Sequence, residues 1–456
     1  MTLINLKGKD ILHTAAQLAS GELKGIKQLT ISEGLTQFPE AIFTLADTLE
    51  VLDLSGNKLS QLPSQFSCLT QLKLLFLTCN DFETIPEVIA ACPKLEMISF
   101  KSNKLKSVAT GSLPLQTRWL ILTDNQITSL PEDIGRLYRL QKLALAGNKL
   151  QALPASMANC TELELARLSA NAFTSLPDWL FSLPKLAWLA IAGNPFVPPT
   201  SCANKGQQLE PVPNVMMKDI AMGKVIGQGA SGVIYRAQWL EPSALSMNNT
   251  DIAVKVFKGE VTSDGYPSDE LACCLQAGRH HHLINVIGQI NEADNLGLVM
   301  ELIPQSFSNL GLPPSLITCT RDTFVQGETL PLQQLIFILV QMANTMAHLH
   351  KNGVSHGDVY AHNTMINHQG EMLFGDFGAA SNVNLLPRLQ QEAMESIEVR
   401  AFGCLIEDLL DNRLSEAAQE EVVLRLRELS QECLQKTTTL RPRFDDVLSR
   451  LQAIGG

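Results

Sequence analysis

The residues that could do chemistry are concentrated in the second half of the chain. The stretch HGDVYAHN holds Asp358 and, five positions later, Asn363, and a second acidic residue, Asp376, follows in GDFGAAS. A lysine, Lys255, lies upstream in DIAVKVFK. Farther upstream, KVIGQGASGVIY contains glycines in the spacing Gly-x-Gly-x-x-Gly. Because glycine has no Cβ, such a loop lets the backbone approach a phosphate group closely.

The glycine spacing alone does not distinguish two kinds of phosphate-binding fold. It occurs in dinucleotide-binding folds, where a helix directly follows the third glycine, and in hairpins of two strands. Here the residues from Gly232 onward, GVIYRAQW, have the composition of a strand. Lys255 follows 23 residues after Gly232 in another β-rich run. The order of glycine loop, strand and strand lysine therefore favours the hairpin.

In this order the motifs resemble those of the protein kinase family, and the resemblance extends over residues 217–456. SDELACCLQAG is predicted to be a helix with Glu270 as the partner of Lys255, and LGLVMELI to be the strand that leads into the hinge. LIFILVQMANTMAHLHKNGVSHGD is predicted to be the long helix before the catalytic loop. EVRAFGCLIEDLL, from Glu398, resembles the helix after the activation segment, and LRPRFDDVLSRL resembles the closing helix.

The resemblance implies a role in ATP-dependent phosphoryl transfer for each matching residue. Asp358 would accept or orient the proton of the incoming hydroxyl, and Lys255, oriented by Glu270, would hold the α and β phosphates of ATP. Asn363 and Asp376 would hold Mg²⁺. The other matching residues are expected to surround the nucleotide: Gly227, Gly229 and Gly232 over the phosphates, Ile234, Ala253 and Met365 around the adenine, Met300 as gatekeeper, and Glu301 to Ile303 as the hinge.

The catalytic loop departs from the usual kinase pattern at three positions. Gly357 stands where many protein kinases have an arginine that contacts a phosphate on the activation loop. Tyr360 stands where a lysine often reaches the γ-phosphate. His362 stands where tyrosine kinases have an arginine; it could donate a hydrogen bond but carries charge only when protonated. We therefore expect reduced turnover and count His362 among the candidate catalytic residues.

The segment after the second acidic residue is short. From Asp376 to Glu398 there are only 22 residues, without a recognisable Ala-Pro-Glu motif. The loop that phosphorylation usually orders and the shelf that positions a peptide are therefore expected to be reduced. The acidic stretch QQEAMESIE (390–398) is a candidate cap for what remains.

Two alternatives to a protein kinase stay open. A His-Gly-Asp loop with a downstream Asn also resembles the loop of aminoglycoside and choline phosphotransferases, although those usually lack Asp-Phe-Gly and the paired glycine loop and strand lysine. The chain could also be a pseudokinase or scaffold, in which ATP acts as a conformational ligand. A protein kinase acting on Ser or Thr is the favoured interpretation, with Tyr specificity left open.

The first half of the chain carries a repeat of 22 or 23 residues with the frame L-x-x-L-x-L-x-x-N-x-L, as in LEVLDLSGNKL (49–59) and LQKLALAGNKL (140–150). The repeated asparagines are Asn57, Asn80, Asn103, Asn125, Asn148, Asn171 and Asn194. A degenerate copy without the asparagine begins at Ile26. This frame resembles the leucine-rich repeat family. One repeat cannot bury its strand alone, so a stacked solenoid is predicted, in which each asparagine satisfies backbone groups at the turn.

Several residues on the concave face of this solenoid are predicted to form a docking surface. The side chains between the leucines of each strand point to that face, and several are large and apolar: Leu74, Phe76, Trp119, Ile121 and Trp188. An apolar patch on a solenoid usually marks an interaction site. We expect these residues to bind a protein partner or the chain's own second domain. The simpler alternative is that some of them pack against one another.

Composition and charge exclude several function classes. The net charge is −11, from 35 basic and 46 acidic residues, which disfavours nucleic acid or an anionic membrane as the main partner. The N-terminus lacks an apolar stretch of signal-peptide length, and no apolar run is long enough to span a bilayer. The ten cysteines lack paired spacing and indicate reduced thiols in the cytoplasm.

The predicted fold class is α/β plus α+β: a leucine-rich repeat solenoid followed by a bilobal kinase-like domain with a short activation segment. We expect about eight repeats in residues 1–200, a proline-rich linker at 201–216, and the kinase domain at 217–456. In this organisation the chain resembles cytoplasmic leucine-rich repeat kinases of the bacterial type.

Overall fold

The computed structural model describes residues 12–196, 212–229, 231–241, 251–258, 261–262, 264–292, 295–415 and 419–455. These residues fall into two compact units. Within the described residues, the first unit comprises 12–163 and 171–176, and the second comprises 164–170 and everything from 177 onward. The final two repeat strands thus belong to the same compact unit as the kinase-like region. Of the predicted linker, only residues 212–216 are among the described ones.

The described part of the first unit contains a parallel sheet of short strands, one from each repeat. The strands are β1 (Gln28–Thr30), β2 (Val51–Asp53), β3 (Leu74–Phe76), β4 (Met97–Ser99), β5 (Trp119–Ile121) and β6 (Lys142–Ala144). Equivalent residues of successive repeats pair, so Leu52 lies beside Leu29 and Leu75. All three are fully buried, as expected for the inward-facing position of a strand.

Short helices lie in most of the connections between these strands, although the connection from β4 to β5 has none. Helix α1 (Ala15–Ser20) precedes the sheet and is capped by Thr14 and Gln17 in a reciprocal capping box. The connections between strands contain 3₁₀-helices at Glu40–Leu45, Ser64–Cys68, Glu87–Ala91, Glu132–Arg136 and Ala155–Asn159. A proline directly precedes each of these five helices, because its fixed φ angle suits a helix start.

The repeated asparagines are buried and hydrogen-bonded to the backbone, which confirms the prediction made for them. In one copy, Asn103 donates from Nδ2 to the carbonyl oxygens of Leu77 (2.9 Å) and Lys101 (3.2 Å). Its Oδ1 accepts the backbone N–H of Phe82 at 3.1 Å. Each asparagine thereby joins two neighbouring repeats and satisfies backbone groups that would otherwise be buried without partners.

The second unit begins with a continuation of the repeat. Strands β7 (Leu165–Arg167) and β8 (Trp188–Ala190) pair in parallel, with helix α2 (Asp178–Phe181) between them in sequence. Asn194 donates to the carbonyl oxygens of Leu168 and Ile191, as the other repeat asparagines do.

Next comes an antiparallel five-stranded sheet with one helix. Its strands are β9 (Ile220–Gln228), β10 (Gly232–Trp239), β11 (Asp251–Phe257), β12 (Val286–Glu292) and β13 (Asn295–Glu301), in the order β12-β13-β11-β10-β9. Helix α3 (Pro267–Ala277) lies between β11 and β12 in sequence. The strand at Gly232 and the helix at SDELACCLQAG are both confirmed. The hairpin interpretation of the glycine loop is also confirmed, since β9 pairs with β10.

The remaining lobe is mostly helical. Its helices are α4 (Leu332–Lys351), α5 (Arg388–Asn412), α6 (Glu420–Cys433) and α7 (Phe444–Gly455). Short strands carry the loops of the site: β14 (Ser308–Asn309), β15 (Val354–Ser355), β16 (Thr364–Ile366), β17 (Met372–Phe374) and β18 (Ser381–Asn382). Further 3₁₀-helices lie at Met217–Asp219, Ala361–Asn363, Phe377–Ala379, Val383–Leu385 and Thr438–Leu440. Helices α4, α5 and α7 contribute Leu339, Phe402 and Phe444 to one apolar core.

The segment EVRAFGCLIEDLL is helical, as predicted, and lies within helix α5, which begins ten residues before it at Arg388. Residues 388–397 are rich in strong helix formers, and Pro387 lies at the N-cap, where its φ angle favours helix initiation. The acidic stretch 390–398, expected to cap the shortened segment, therefore lies inside the first turns of α5. Only residues 377–387 separate Asp376 from this helix, which confirms the short activation segment.

Among the residues that the structure describes, no helix is both long enough and apolar enough to cross a membrane.

Candidate active site

A cavity of about 970 Å³ in the second unit is lined by residues of the five-stranded sheet, helix α3 and the catalytic loop. Antiparallel pairing of three strands forms the wall of the cavity that the sheet provides. Ile234 of β10 lies opposite Gly227 of β9 on one side and opposite Lys255 of β11 on the other. Ala253 and Met300 are also paired, across β11 and β13. The candidate site residues that line the cavity are Gly227, Gly229, Gly232, Ile234, Ala253, Lys255, Glu270, Met300, Glu301, Ile303, His362, Asn363, Met365 and Asp376.

A buried lysine links the sheet, helix α3 and the segment after the catalytic loop. Lys255 Nζ, on β11, forms a short ion pair with Glu270 Oε1 on α3. The same nitrogen lies 3.9 Å from Asp376 Oδ1. Burial acts to lower the pKa of Lys255, but the charges of Glu270 and Asp376 outweigh it and raise the pKa above its usual value. The ammonium group therefore stays protonated at neutral pH and is held in one place by two carboxylates.

Asp376 occupies a position suited to binding a cation. Its φ angle of 61° is in the left-handed region, which Asp tolerates better than most residues. Its side chain is 58% exposed although it lines the cavity, so the carboxylate remains accessible. The neighbouring Phe377 is buried and lies 5.0 Å from the ring of His356. That histidine is fully buried, and its Nε2–H donates to the carbonyl oxygen of Gly375 at 3.0 Å.

The catalytic loop orients Asp358 through Asn363. The Asn363 Nδ2 donates to the backbone oxygen of Asp358 and to its Oδ2, both at 3.0 Å. The asparagine amide nitrogen is thus used within the loop, and the amide oxygen is the atom left for a cation. Asp358 is not among the residues that line the cavity, although Asn363 beside it is.

His362 is held by an aspartate that the sequence analysis missed. Its Nδ1 lies 2.6 Å from Asp322 Oδ1, and Asp322 Oδ2 also accepts the backbone N–H groups of Ala361 (2.6 Å) and His362 (3.3 Å). Burial acts to lower the pKa of His362, but the hydrogen bond and charge of Asp322 outweigh it and raise the pKa. Asp322 therefore fixes the backbone of the loop and favours the charged imidazolium.

The absence of a side chain at Gly357 has a structural cause. Its φ angle is 73°, and an added Cβ would lie 2.4 Å from the carbonyl oxygen of Ala379 and 3.1 Å from that of Leu189. No L-residue fits there without movement of one of these backbones. The Gly357 N–H donates to Glu398 Oε1 at 2.6 Å, and Glu398 Oε2 lies 2.6 Å from His350 Nε2. Helix α5 thereby anchors the loop.

Tyr360 packs against a repeat strand and is not among the residues that line the cavity. Its ring is buried and stacks on Trp188 of β8, with 4.7 Å between centroids and 6° between planes. The indole Nε1 of Trp188 donates to the carbonyl oxygen of Val359 at 3.2 Å. Trp188, which we expected on a docking face, therefore contacts the catalytic loop of its own chain.

Arg167 of β7 contacts Asp358 directly. Its Nη2 donates to Asp358 Oδ1 at 2.5 Å, Nη1 donates to the carbonyl oxygen of Gly357 at 3.2 Å, and Nε donates to Asp264 Oδ1 at 2.6 Å. Burial acts to lower the pKa of Arg167, but the charges of Asp358 and Asp264 outweigh it and raise the pKa. The guanidinium group is thus permanently charged beside the candidate base.

Sequence reasoning missed Arg167, Asp264 and Asp322. One signal was available: Arg167 stands four positions before Asn171, at the concave position where other repeats carry Phe76 or Ile121. A charged residue among apolar ones at that position could have been singled out. The other predicted concave residues lie in the first unit, where Leu74 and Trp119 are buried and Phe76 and Ile121 are half-buried.

Comparison with known proteins agrees with this geometry. Residues 220–418 match the family model described as protein tyrosine and serine/threonine kinase, and residues 48–69 match the leucine-rich repeat model. The chain thus carries leucine-rich repeats and a protein kinase domain.

Three relatives illustrate the similarity. A protein named "Probable serine/threonine-protein kinase" from Dictyostelium discoideum is 25% identical over 205 residues, which cover 42% of this chain and 36% of the relative. The serine/threonine-protein kinase PITSLRE of Drosophila melanogaster is 28% identical over 159 residues, covering 34% and 15% of the two chains. The insulin receptor-related protein of Homo sapiens is 25% identical over 284 residues, covering 52% and 21%. The matched region therefore covers at most 36% of the length of any of these three relatives.

Proposed function

We propose that this chain is an ATP-dependent protein kinase that transfers the γ-phosphoryl group of ATP to a serine or threonine hydroxyl. The observation that carries the proposal is the arrangement of four groups around the cavity. Lys255 is paired with Glu270, the Asp376 carboxylate lies 3.9 Å from the same lysine, and Asn363 orients Asp358. Phosphoryl transfer requires chiefly such positioning and charge neutralisation.

Each residue has a defined task in this mechanism. The glycine hairpin and Lys255 hold the phosphates of ATP, and Met300 with the backbone of residues 301–303 borders the adenine. Asp358 accepts the proton of the substrate hydroxyl. At the same time the hydroxyl oxygen bonds to the γ-phosphorus of ATP, and the bond between that phosphorus and the bridging oxygen breaks, which releases ADP. His362, held by Asp322, can donate a hydrogen bond on the cavity wall.

The residues present fit a magnesium ion. Mg²⁺ prefers oxygen ligands and commonly takes one or two protein side chains together with substrate phosphates. The exposed carboxylate of Asp376 and the amide oxygen of Asn363 both border the cavity and supply such ligands. Mg²⁺, when bound, would neutralise the charge that accumulates on the phosphates.

The pseudokinase alternative also rests on a specific observation. Both carboxylate oxygens of Asp358 already accept hydrogen bonds, one from Arg167 and one from Asn363. A site closed to the substrate hydroxyl would bind Mg-ATP without transferring phosphate. The reduced segment of residues 377–387 likewise keeps a small-molecule acceptor as a candidate, because it leaves little loop to hold a peptide.

The repeats are the proposed recognition module. Leu74 and Phe76 of β3 lie in register with Trp119 and Ile121 of β5, on either side of β4 in the parallel sheet of the first unit, which supports a role in binding a protein partner. For Trp188 the contact with Tyr360 supports the other option, docking on the chain's own catalytic loop. The boundaries at residues 200 and 217 and the bacterial type remain predictions. A cytoplasmic location is our proposal, supported by the free thiols of eight cysteines among the described residues: Cys68, Cys79, Cys92, Cys160, Cys273, Cys274, Cys404 and Cys433.

A direct assay tests the function. Wild type, Asp358→Asn and Lys255→Met are incubated with Mg²⁺ and γ-labelled ATP, alone and with a generic basic protein, while Mg-ATP binding is followed by thermal shift. We expect label transfer by wild type, only a small residual rate of transfer in both variants, and retained folding in both. Phosphoamino-acid analysis of the labelled protein then decides between Ser/Thr and Tyr.

The other outcomes separate the alternatives. Mg-ATP binding by wild type without transfer to itself or to the basic protein would favour the scaffold. Transfer only to small amino alcohols or aminoglycosides would favour a small-molecule kinase. Undiminished transfer by Lys255→Met would overturn the assignment of the site.

A further inference from the structure

The catalytic loop has no permanent cation of its own. Residues 356–363 contain no Lys or Arg. The two positions where protein kinases often carry one are Gly357 and Tyr360, and the structure gives a reason for each. At Gly357 the φ angle is 73°, and a Cβ would lie 2.4 Å from the carbonyl oxygen of Ala379 and 3.1 Å from that of Leu189 in β8. Tyr360 is buried against Trp188 of the same strand. The segment after Asp376 thus excludes a side chain at position 357, while strand β8 crowds the same place and holds Tyr360 away from the cavity.

Arg167 brings a cation to this place from outside the loop. We propose that Arg167 is a positioning residue of the phosphoryl-transfer site: supplied by repeat strand β7, it orients the Asp358 carboxylate and provides the positive charge that the loop lacks. The inference rests on the proposed function above. Arg167 reaches the loop beside Gly357, where the loop has no side chain of its own.

The contacts of Arg167 are those of a permanent site. The residue is 6% exposed, and three of its nitrogens have separate acceptors: Asp264, the Gly357 carbonyl and Asp358. Removing the guanidinium group would leave two partly buried carboxylates, Asp264 and Asp358, without their counter-charge, which is unfavourable. The geometry therefore favours a constitutive part of the site over a contact that opens and closes.

Neighbouring contacts hold the two repeat strands in the same position. Trp188 Nε1 donates to Val359 O, and the backbone N–H of Ile191 donates to Ser381 Oγ at 3.0 Å. From the helical lobe, Arg400 Nε donates to Lys185 O at 3.1 Å and Arg441 Nη2 donates to Pro184 O at 2.9 Å. The segment between Asp376 and α5 comprises only residues 377–387.

The Asp358 carboxylate remains usable as a base. Arg167 takes one lone pair of Oδ1 and Asn363 takes one of Oδ2, and a carboxylate has about four acceptor sites in all. The Asp358 side chain is 20% exposed, so a substrate hydroxyl can reach it. Two donors at fixed angles hold the carboxylate in one orientation, which is the positioning that proton transfer requires.

The test compares Arg167→Ala, Arg167→Lys and the control Arg139→Ala in the full chain. Arg139 is an exposed arginine of the first unit that donates to Gln116, so its removal tests for a general effect of losing a repeat arginine. The kcat and the KM for ATP are measured for each, with Mg-ATP binding by thermal shift to show that the cavity is intact. Wild type and Lys255→Met are run alongside.

For Arg167→Ala we expect a fall in kcat on the order of 100-fold with the KM for ATP changed by less than about threefold, because Arg167 does not line the cavity. Arg167→Lys keeps the charge and should recover part of the loss. Arg139→Ala should match wild type. An Arg167→Ala kcat equal to or above that of wild type would overturn the inference, and a rise would instead identify an inhibitory contact.

A double variant separates positioning from simple structural support. If Arg167 acts through Asp358, Arg167→Ala combined with Asp358→Asn should be no less active than Asp358→Asn alone, because groups that act as a unit are non-additive. The inference would be overturned if the reductions in kcat caused by the two single changes multiplied in the double variant. It would also be overturned if Arg167→Ala no longer bound Mg-ATP and Arg167→Lys bound it equally poorly. Absence of transfer by wild type would overturn the proposed function and this inference with it, whereas an active wild type with an unaffected Arg167→Ala would overturn the inference alone.

Discussion

Replacing Trp188 should destabilise the catalytic loop, although Trp188 lies 171 residues before Val359 of that loop in the sequence. Trp188 is 2% exposed, its ring stacks on Tyr360, and its indole N–H donates to Val359 O. Trp188→Ala removes both contacts and leaves a cavity. Trp188→Phe keeps an aromatic ring for the stack but leaves the Val359 carbonyl without its donor.

The magnitudes follow from these contacts. A fully buried Trp→Ala change costs about 3–5 kcal/mol, of which the aromatic pair accounts for roughly 0.5–1.5 kcal/mol. Since each 1.4 kcal/mol is a factor of ten, amide exchange through opening of the loop should accelerate by about two to almost four orders of magnitude. For Trp188→Phe, the unsatisfied carbonyl costs about 1–3 kcal/mol, or roughly a 5- to 150-fold acceleration.

Hydrogen–deuterium exchange of the intact chain measures this locally, in peptides that cover residues 354–366. Local exchange is preferable to a single melting temperature, because a chain with two compact units need not unfold in one step. Trp119→Ala is the matched control: Trp119 is 8% exposed, occupies the equivalent strand position in the first unit, and should leave exchange of 354–366 unchanged. Exchange within about threefold of wild type in Trp188→Ala, or equal acceleration in both alanine variants, would refute the reasoning.

Three further predictions concern the loop and the repeats. Glu398→Ala removes the acceptor of the Gly357 N–H and should lower the free energy of unfolding of the second unit by about 1–3 kcal/mol in urea, with a smaller loss for Glu398→Gln; equal effects of the two changes would contradict this. The pKa of His362 is raised, so its stabilisation by Asp322 is fully present below the usual histidine pKa of about 6.5 and is lost as pH rises through the higher pKa of the folded state. The difference in melting temperature between wild type and His362→Asn should therefore narrow as pH rises from about 6 into the alkaline range. A difference that stays constant would argue against the pair. Asn103→Ala leaves one backbone N–H and two carbonyls without partners and should lower the stability of the first unit by about 1–3 kcal/mol or more without changing Mg-ATP binding, and a neutral effect on denaturation would show that water replaces the amide.

Local patterns predicted much of the molecule. The 23-residue period, with one asparagine per copy, predicted the stacked parallel strands and the buried amide of each turn, because each repeat contacts mainly its neighbours. The glycine spacing followed by a β-rich run predicted the hairpin, and the helix of Glu270 was predicted from its own sequence. The acidic stretch 390–398 was expected to cap the shortened segment, but it is rich in helix formers and lies inside α5.

The sequence by itself therefore determined which residue types could bind phosphate and accept a proton, since these lie in short motifs whose spacing is set within one strand, turn or helix. The tertiary structure alone decided what completes the site. Arg167 and Asp358 are 191 residues apart, and they meet because β7 and β8 pack against the loop, where Gly357 leaves room for the Leu189 backbone and Tyr360 stacks on Trp188. Contacts between residues so distant in sequence depend on how whole elements pack, and the periodicity of neither partner encodes them.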